Sequence, residues 1–343
     1  MPYDPNLNRN IFEGSYDGVV HRIPAYIGER GRYQVTGVLS AGGFGVIYRG
    51  QDRRLFGKSV LIKAIRYNRR HLRVPNNRAV LRDVAEQRGR LEHERKMLIA
   101  GQNRGIGGIP ILLDMITDLG VDLYGPHDDE QGGRHYYGLD DQWRNEPYLI
   151  LSYVDGAPFS KVLNADAFSR NRLGNTQQVI FQIGSILSAF HREQELGNAT
   201  RISFLYQDLK PDNIIFTREK RPVLIDFGSF AVRIDGQTQP YFAGVGTPGY
   251  QPPEFIDGTP VELLDHRVDI FSLGMTVYHL LGGRAPKADG QGYPVANPEL
   301  MGSFPEPWRS WIERCVHRSR DERFGSIGEA IRAAKDLPRW QGS

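Results

Sequence analysis

Between Tyr206 and Gly228 the chain reads Y-Q-D-L-K-P-D-N-I-I-F, then ten residues that end in Asp226, then F-G. This stretch constrains the fold more than any other. Pro211 lacks an amide hydrogen and its ring clashes with a helical turn, so Asp208 and Asn213 cannot share one uninterrupted helix. They belong on a bent loop, which can aim both side chains at one point. N-I-I-F and P-V-L-I-D read as short strands, and a hairpin built from them brings Asp226 back beside Asn213. A carboxylate and an amide oxygen placed together suit a hard cation such as Mg²⁺. Asp208 is then left to orient an attacking hydroxyl, and Lys210 to meet developing phosphate charge.

A chain of 343 residues can hold two lobes of ordinary domain size. Hydrophobic content of 40% with 24% charged residues describes a globular protein with a full core. Cys315 is the only cysteine, which excludes a disulfide framework and a cysteine-based zinc site and predicts a reducing, cytoplasmic setting. It lies in the apolar stretch W-I-E-R-C-V and reads as a buried, unreactive thiol. Residues 1–10 are polar and contain prolines, without the apolar run of a signal peptide. No apolar stretch approaches the ~20 residues of a membrane span, so no membrane partner is expected. The net charge of +3 is unevenly placed: residues 63–104 carry twelve Lys/Arg against four Asp/Glu, and residues 118–146 carry eight acids against two Arg. These two stretches are expected to face one another or a shared partner. The arginines before position 91 read as a solvated face; nucleic acid is disfavoured because no aromatic residues are interleaved among them as stacking platforms.

Residues 1–31 hold prolines, glycines and aromatics without a sustained period, and read as a tail in preference to a strap. Residues 33–47, Y-Q-V-T-G-V-L-S-A-G-G-F-G-V-I, place a glycine-rich turn between two strand-like runs, a hairpin whose backbone amides can approach phosphate oxygens. In S-V-L-I-K-A-I-R, residues 59–66, apolar neighbours surround Lys63, and an ammonium on a buried strand needs an anionic partner. Residues 80–100 have helical composition. Val179, Ile183, Ile186, Leu187 and Phe190 follow the helical period and read as core.

D-L-K-P-D-N followed by D-F-G resembles the catalytic loop and metal-binding segment of protein kinases. The resemblance extends from about Tyr33 to Leu337 and implies an α+β, two-lobed fold, with a small antiparallel β lobe carrying one key helix and a larger, mainly helical lobe. The implied divisions are an N-terminal extension at 1–31, an N-lobe at 32–151, a hinge at 152–156 and a C-lobe at 157–343. On the family's G-x-G-x-x-G-x-V pattern, Ser40 takes the first glycine's place, Gly42 and Gly45 the other two, and Ile47 the last position, with Gly43 and Phe44 inside the turn. Lys63 resembles the lysine that holds the α- and β-phosphates of ATP. Glu94 fits the family's helix partner for it better than Glu92 does. Leu151 resembles the bulky residue at the back of the adenine pocket, and backbone groups at Ser152, Tyr153 and Val154 those that pair with adenine. Residues 118–146 are longer than the family's turn at this place.

G-V-G-T-P-G-Y-Q-P-P-E, residues 244–254, resembles the family's segment before its buried glutamate, here Glu254, with Arg323 as the partner. Asp269 resembles the helix aspartate that bonds backbone around the catalytic loop. The family's H-R-D triplet is Tyr206, Gln207 and Asp208 here, so the arginine is replaced by glutamine. Lys210 and Thr247 resemble the serine/threonine branch. The resemblance implies phosphoryl transfer from ATP, with Mg²⁺ (Mn²⁺ as the alternative) on Asn213 and Asp226, to serine or threonine of a protein substrate, autophosphorylation included. Two rivals are a small-molecule phosphotransferase, which usually lacks the F-G and the P-P-E segment, and a non-catalytic pseudokinase scaffold, which would lack one of Lys63, Asp208, Asn213 or Asp226.

Overall fold

The computed structural model describes residues 11–42, 45–65, 78–118, 127–128, 134–135, 146–240 and 246–339. The chain divides into two compact units, Met1–Ile99 with Pro110–Tyr153, and Ala100–Ile109 with Val154–Ser343.

The first unit opens with an antiparallel hairpin, β1 (Ile11–Tyr16) and β2 (Val19–Pro24). The stretch read as a tail is therefore strand from Ile11 onward. Ile23 is buried and Phe12 packs on the cluster of Tyr33, Val35, Val46 and Tyr48. The six-residue strands are too short to show a sustained period in sequence, which is why composition alone concealed them. Among the described residues, a six-stranded antiparallel sheet comes next, from β3 (Tyr26–Ile27), β4 (Tyr33–Ala41), β5 (Gly45–Asp52), β6 (Lys58–Ile65), β7 (Leu112–Asp118) and β8 (Glu146–Ser152). In β5, Val46, Tyr48, Gly50 and Asp52 are buried in strict alternation, the two-residue period of a half-buried strand. In β8, Glu146 to Leu151 are all buried, as an interior strand between β6 and β7 requires.

The helix α1 (Arg78–Asn103) turns Leu91, Glu94 and Leu98 to its buried side, spaced by three and four residues. Glu94 thus enters the interior because two leucines on the same stripe do.

The second unit is mainly helical. Asn171 caps α2 (Arg172–His191) by accepting the amide of Gly174, and the apolar stripe from Val179 to Phe190 is buried. Two small sheets flank it. β9 (Gly156–Pro158) belongs with the hairpin β12 (Ile214–Thr217) and β13 (Pro222–Leu224). The other runs in the order β10 (Gln194–Glu195), β11 (Arg201–Leu205), β14 (Ala231–Ile234) and β15 (Gln237–Thr238). Every residue of α3 (Arg267–Gly282) from Val268 to Leu281 is buried, the signature of a helix at the centre of a domain. Gly283 ends it in the left-handed region at φ 66°. The helices α4 (Glu306–Cys315) and α5 (Ile327–Ala333) pack on α3. The fold is α+β and two-lobed, as the sequence led us to expect.

Candidate active site

In the first unit, β6 carries Lys63 inward and α1 carries Glu94 to it: Nζ donates to the carboxylate at 2.6 Å, with both side chains buried. Glu92, on another face of the same helix, pairs instead with Arg95 at 2.6 Å and is half exposed. The glycine turn is closed by the Gly42 amide donating to the Gly45 carbonyl at 2.9 Å. Gly45 lies directly against β6, where a Cβ would stand 2.9 Å from the carbonyl oxygen of Ala64 and 3.7 Å from Lys63 Cε. Only glycine allows that approach. Ser40 faces Ile47 across the β4–β5 ladder; Gly43 and Phe44 lie outside the described residues. Leu151 is buried at the end of β8. The Ser152 amide and hydroxyl are both committed to Ile111, at 2.8 and 2.9 Å. The Ser152 amide, one of the groups the resemblance offered to adenine, is thus spent within the protein.

In the second unit, the loop between β11 and β12 bends where Pro211 opens a single 3₁₀ turn. Lys210 Nζ donates to Asp208 Oδ2 at 2.8 Å and to Thr247 Oγ1 at 2.5 Å, while the Thr247 hydroxyl donates to Asp208 Oδ1 at 2.5 Å. Asn213 Nδ2 donates to the Asp208 carbonyl at 2.8 Å and to Oδ2 at 3.1 Å. With its N–H groups spent there, Asn213 has its amide oxygen as the remaining acceptor. The hairpin pairs Ile214 with Leu224, and the Ile225 amide donates to the Asn213 carbonyl at 2.9 Å, so the chain reaches Asp226 next to Asn213. Asp226 sits at φ 64°, an uncommon region for a non-glycine residue.

The supports of this loop are buried. Asp269, fully buried near the start of α3, accepts the amides of Tyr206 and Gln207 at 2.8 and 2.7 Å, and His191 Nε2 lies 2.8 Å from it. Glu254 receives two parallel bonds of 2.8 Å from Arg323. Tyr250 and His279 meet at 2.6 Å; burial pushes the phenol up and the imidazole down, so the pair is neutral. Sequence reasoning missed three groups here: the His191 imidazole, the Tyr206 hydroxyl and the Gln207 amide. No local signal marks them, because each acts on a residue 19 to 78 positions away.

The family profile described as "Protein kinase domain" matches residues 136–327, more than half of the chain. Among similar curated proteins, serine/threonine-protein kinase PksC of Streptomyces coelicolor is 27% identical over 54% of this chain and 34% of its own length. Serine/threonine-protein kinase PknH of Mycobacterium tuberculosis is 27% identical over 59% and 31%. Serine/threonine-protein kinase B of Synechocystis sp. is 27% identical over 75% and 38%. The similarity thus spans only about a third of each relative's own length.

Proposed function

The chain belongs to the protein kinase domain family, and from that premise we propose that it transfers the γ-phosphoryl group of ATP to serine or threonine hydroxyls of a protein substrate. The observation that carries this reading is the Asp208–Lys210–Thr247 triangle with Asn213 braced against it. In it, Asp208 is fixed so that it orients the incoming hydroxyl and accepts its proton as oxygen bonds to phosphorus and the bond to ADP breaks. Lys210 stands where charge develops on the transferred group, so catalysis is positioning plus electrostatic stabilisation. Lys63, held by Glu94, orients the α- and β-phosphates. Asn213 and Asp226 would hold magnesium or manganese: their amide and carboxylate oxygens suit such a hard cation, which would neutralise phosphate charge when bound. The four groups a non-catalytic scaffold would lack in part are all present.

The test is incubation of the protein with Mg·ATP and a generic basic protein, followed by mass spectrometry, beside Asp208→Asn. Phosphoserine or phosphothreonine is expected with wild type, and a rate lower by on the order of 10²-fold or more with the variant. Equal transfer by the two would remove the assignment, and labelling of a small molecule but no protein would favour the phosphotransferase reading.

A further inference from the structure

Gln207 follows the loop's anchor and precedes the proposed catalytic aspartate, and its backbone is strained: φ is 70°. A non-glycine residue holds such a conformation only where its surroundings over-determine it. Asp269 supplies part of that restraint by accepting the amides of Tyr206 and Gln207. The side chain is 1% exposed, so its amide must find partners inside the protein. Nε2 donates to the Ser229 carbonyl at 2.5 Å. One residue earlier, the Tyr206 hydroxyl donates to the Ile225 carbonyl.

The two accepting carbonyls, at Ile225 and Ser229, flank Asp226, Phe227 and Gly228. Phe227 between them is packed by Phe230, with ring centroids 5.0 Å apart, and by Tyr206 at 6.1 Å. Asp226 itself is in the left-handed region. The segment that presents the metal-binding carboxylate is thus tied down on both sides by uncharged donors from two consecutive residues of the neighbouring loop. Both donors are in turn referenced to Asp269.

We propose that Gln207, together with Tyr206, is a positioning residue for Asp226: its amide holds the Ser229 carbonyl so that the Asp226 carboxylate is presented to the divalent cation. The inference rests on the kinase reading of Asp226, and the two bonds that carry it run from neutral donors to backbone carbonyls.

The experiment replaces Gln207→Met, which keeps length and volume but removes the donor, and separately Tyr206→Phe, which removes one hydroxyl. Mn²⁺ is titrated into each protein with ADP and followed by electron paramagnetic resonance; nucleotide binding without metal is measured calorimetrically in EDTA. Partners that hold a ligand typically change metal affinity by about 10–100-fold. Both variants are therefore expected to weaken Mn²⁺ binding at least about tenfold while metal-free nucleotide binding stays within about twofold. If Gln207→Met does not fold, Tyr206→Phe, the gentler change, decides the matter. Wild-type Mn²⁺ affinity in a folded variant overturns the inference, as does an equal loss of metal-free binding, which would mark a merely structural role. A wild-type protein that neither binds Mn²⁺·ADP nor transfers phosphate would instead overturn the proposed function.

Discussion

Arg323 and Glu254 are buried together and joined by two bonds, and Arg323 also donates to the carbonyls of His317, Arg267 and Arg318. Arg323→Ala strands a buried carboxylate and three carbonyls. Removing one partner of such a pair costs about 3–5 kcal/mol, expected as a large fall in the urea midpoint; a change under about 1 kcal/mol would show that water reaches the site. Asp265 gives a pH-dependent counterpart. Burial works to raise its carboxyl, but bonds from the Arg267 side chain and amide outweigh it and hold it at about 2, against an ordinary 3.8. Because the folded value is the lower one, this pair stabilises above about pH 4 and the contribution fades as pH falls towards 2. Arg267→Ala should then cost about 1–2 kcal/mol at neutral pH after allowance for solvent screening. The difference from wild type should shrink in acid-titrated denaturation. Lys63→Met, which breaks the 2.6 Å bond to the buried Glu94, is expected to lower transfer on the order of 10²-fold and, because it takes the cation from a buried carboxylate, to lower the melting temperature as well.

At the scale of elements, the β1–β2 hairpin changes what the sequence implied, and the segment after Gly228 bears on loop control. Ile23 is 2% exposed, and burying one such side chain is worth about 1.5–3 kcal/mol. Deleting residues 1–24 should therefore lower thermal stability, read by calorimetry, where loss of a tail would change nothing. In the segment after Gly228, a phosphorylatable Thr238 would be the natural place for loop control. Thr238 is instead fully buried in β15, its hydroxyl donating to the Leu264 carbonyl at 2.6 Å; Tyr241 lies outside the described residues. A phosphate of roughly −1.5 to −2 charges has no room there, and Gln207 offers it no positive charge. Activity is expected to survive exhaustive phosphatase treatment, with Thr238 unmodified by mass spectrometry. A loss of about tenfold or more, ~1.4 kcal/mol in the barrier, would show that loop phosphorylation matters after all.

Across the whole molecule, the chain enters the second unit first through Ala100–Ile109 and returns to it at Val154. The short insert is tied down by the Gly108 carbonyl, which accepts the Leu224 amide, and by Arg104. Arg104 donates to the carbonyls of Ala189, Phe190, Arg192 and Ile202, and lies 4.6 Å over the Phe204 ring; burial lowers its pKa. Lysine presents a compact point charge in place of the planar fork. Arg104→Lys is expected to lower stability by about 1–3 kcal/mol, measured as a urea midpoint with unchanged slope. Among the described residues, Arg88 of α1, in the basic stretch, pairs with Glu146 at the start of β8, in the acidic one. Most of the acidic stretch lies outside the described residues. Among the described residues, no helix is long and apolar enough to cross a membrane.

The amino-acid order settled by itself what was local and short-ranged. Pro211 required the loop from Asp208 to Asn213 to bend, the order of Asp208, Asn213 and Asp226 carried the resemblance to kinases, and that resemblance pointed to Glu94 in preference to Glu92. Steric rules and periodicity act over a few residues, so a reader of sequence can apply them. The tertiary structure decided the rest: that Ile11–Pro24 pack as strands, that Ser152 spends its amide on Ile111, that Thr238 is sealed in β15, and that Gln207 grips Ser229. Each of these is a hydrogen bond or burial between groups far apart along the chain. Which partner a buried polar group finds depends on what folding brings beside it, and that is written only in the packed three-dimensional arrangement.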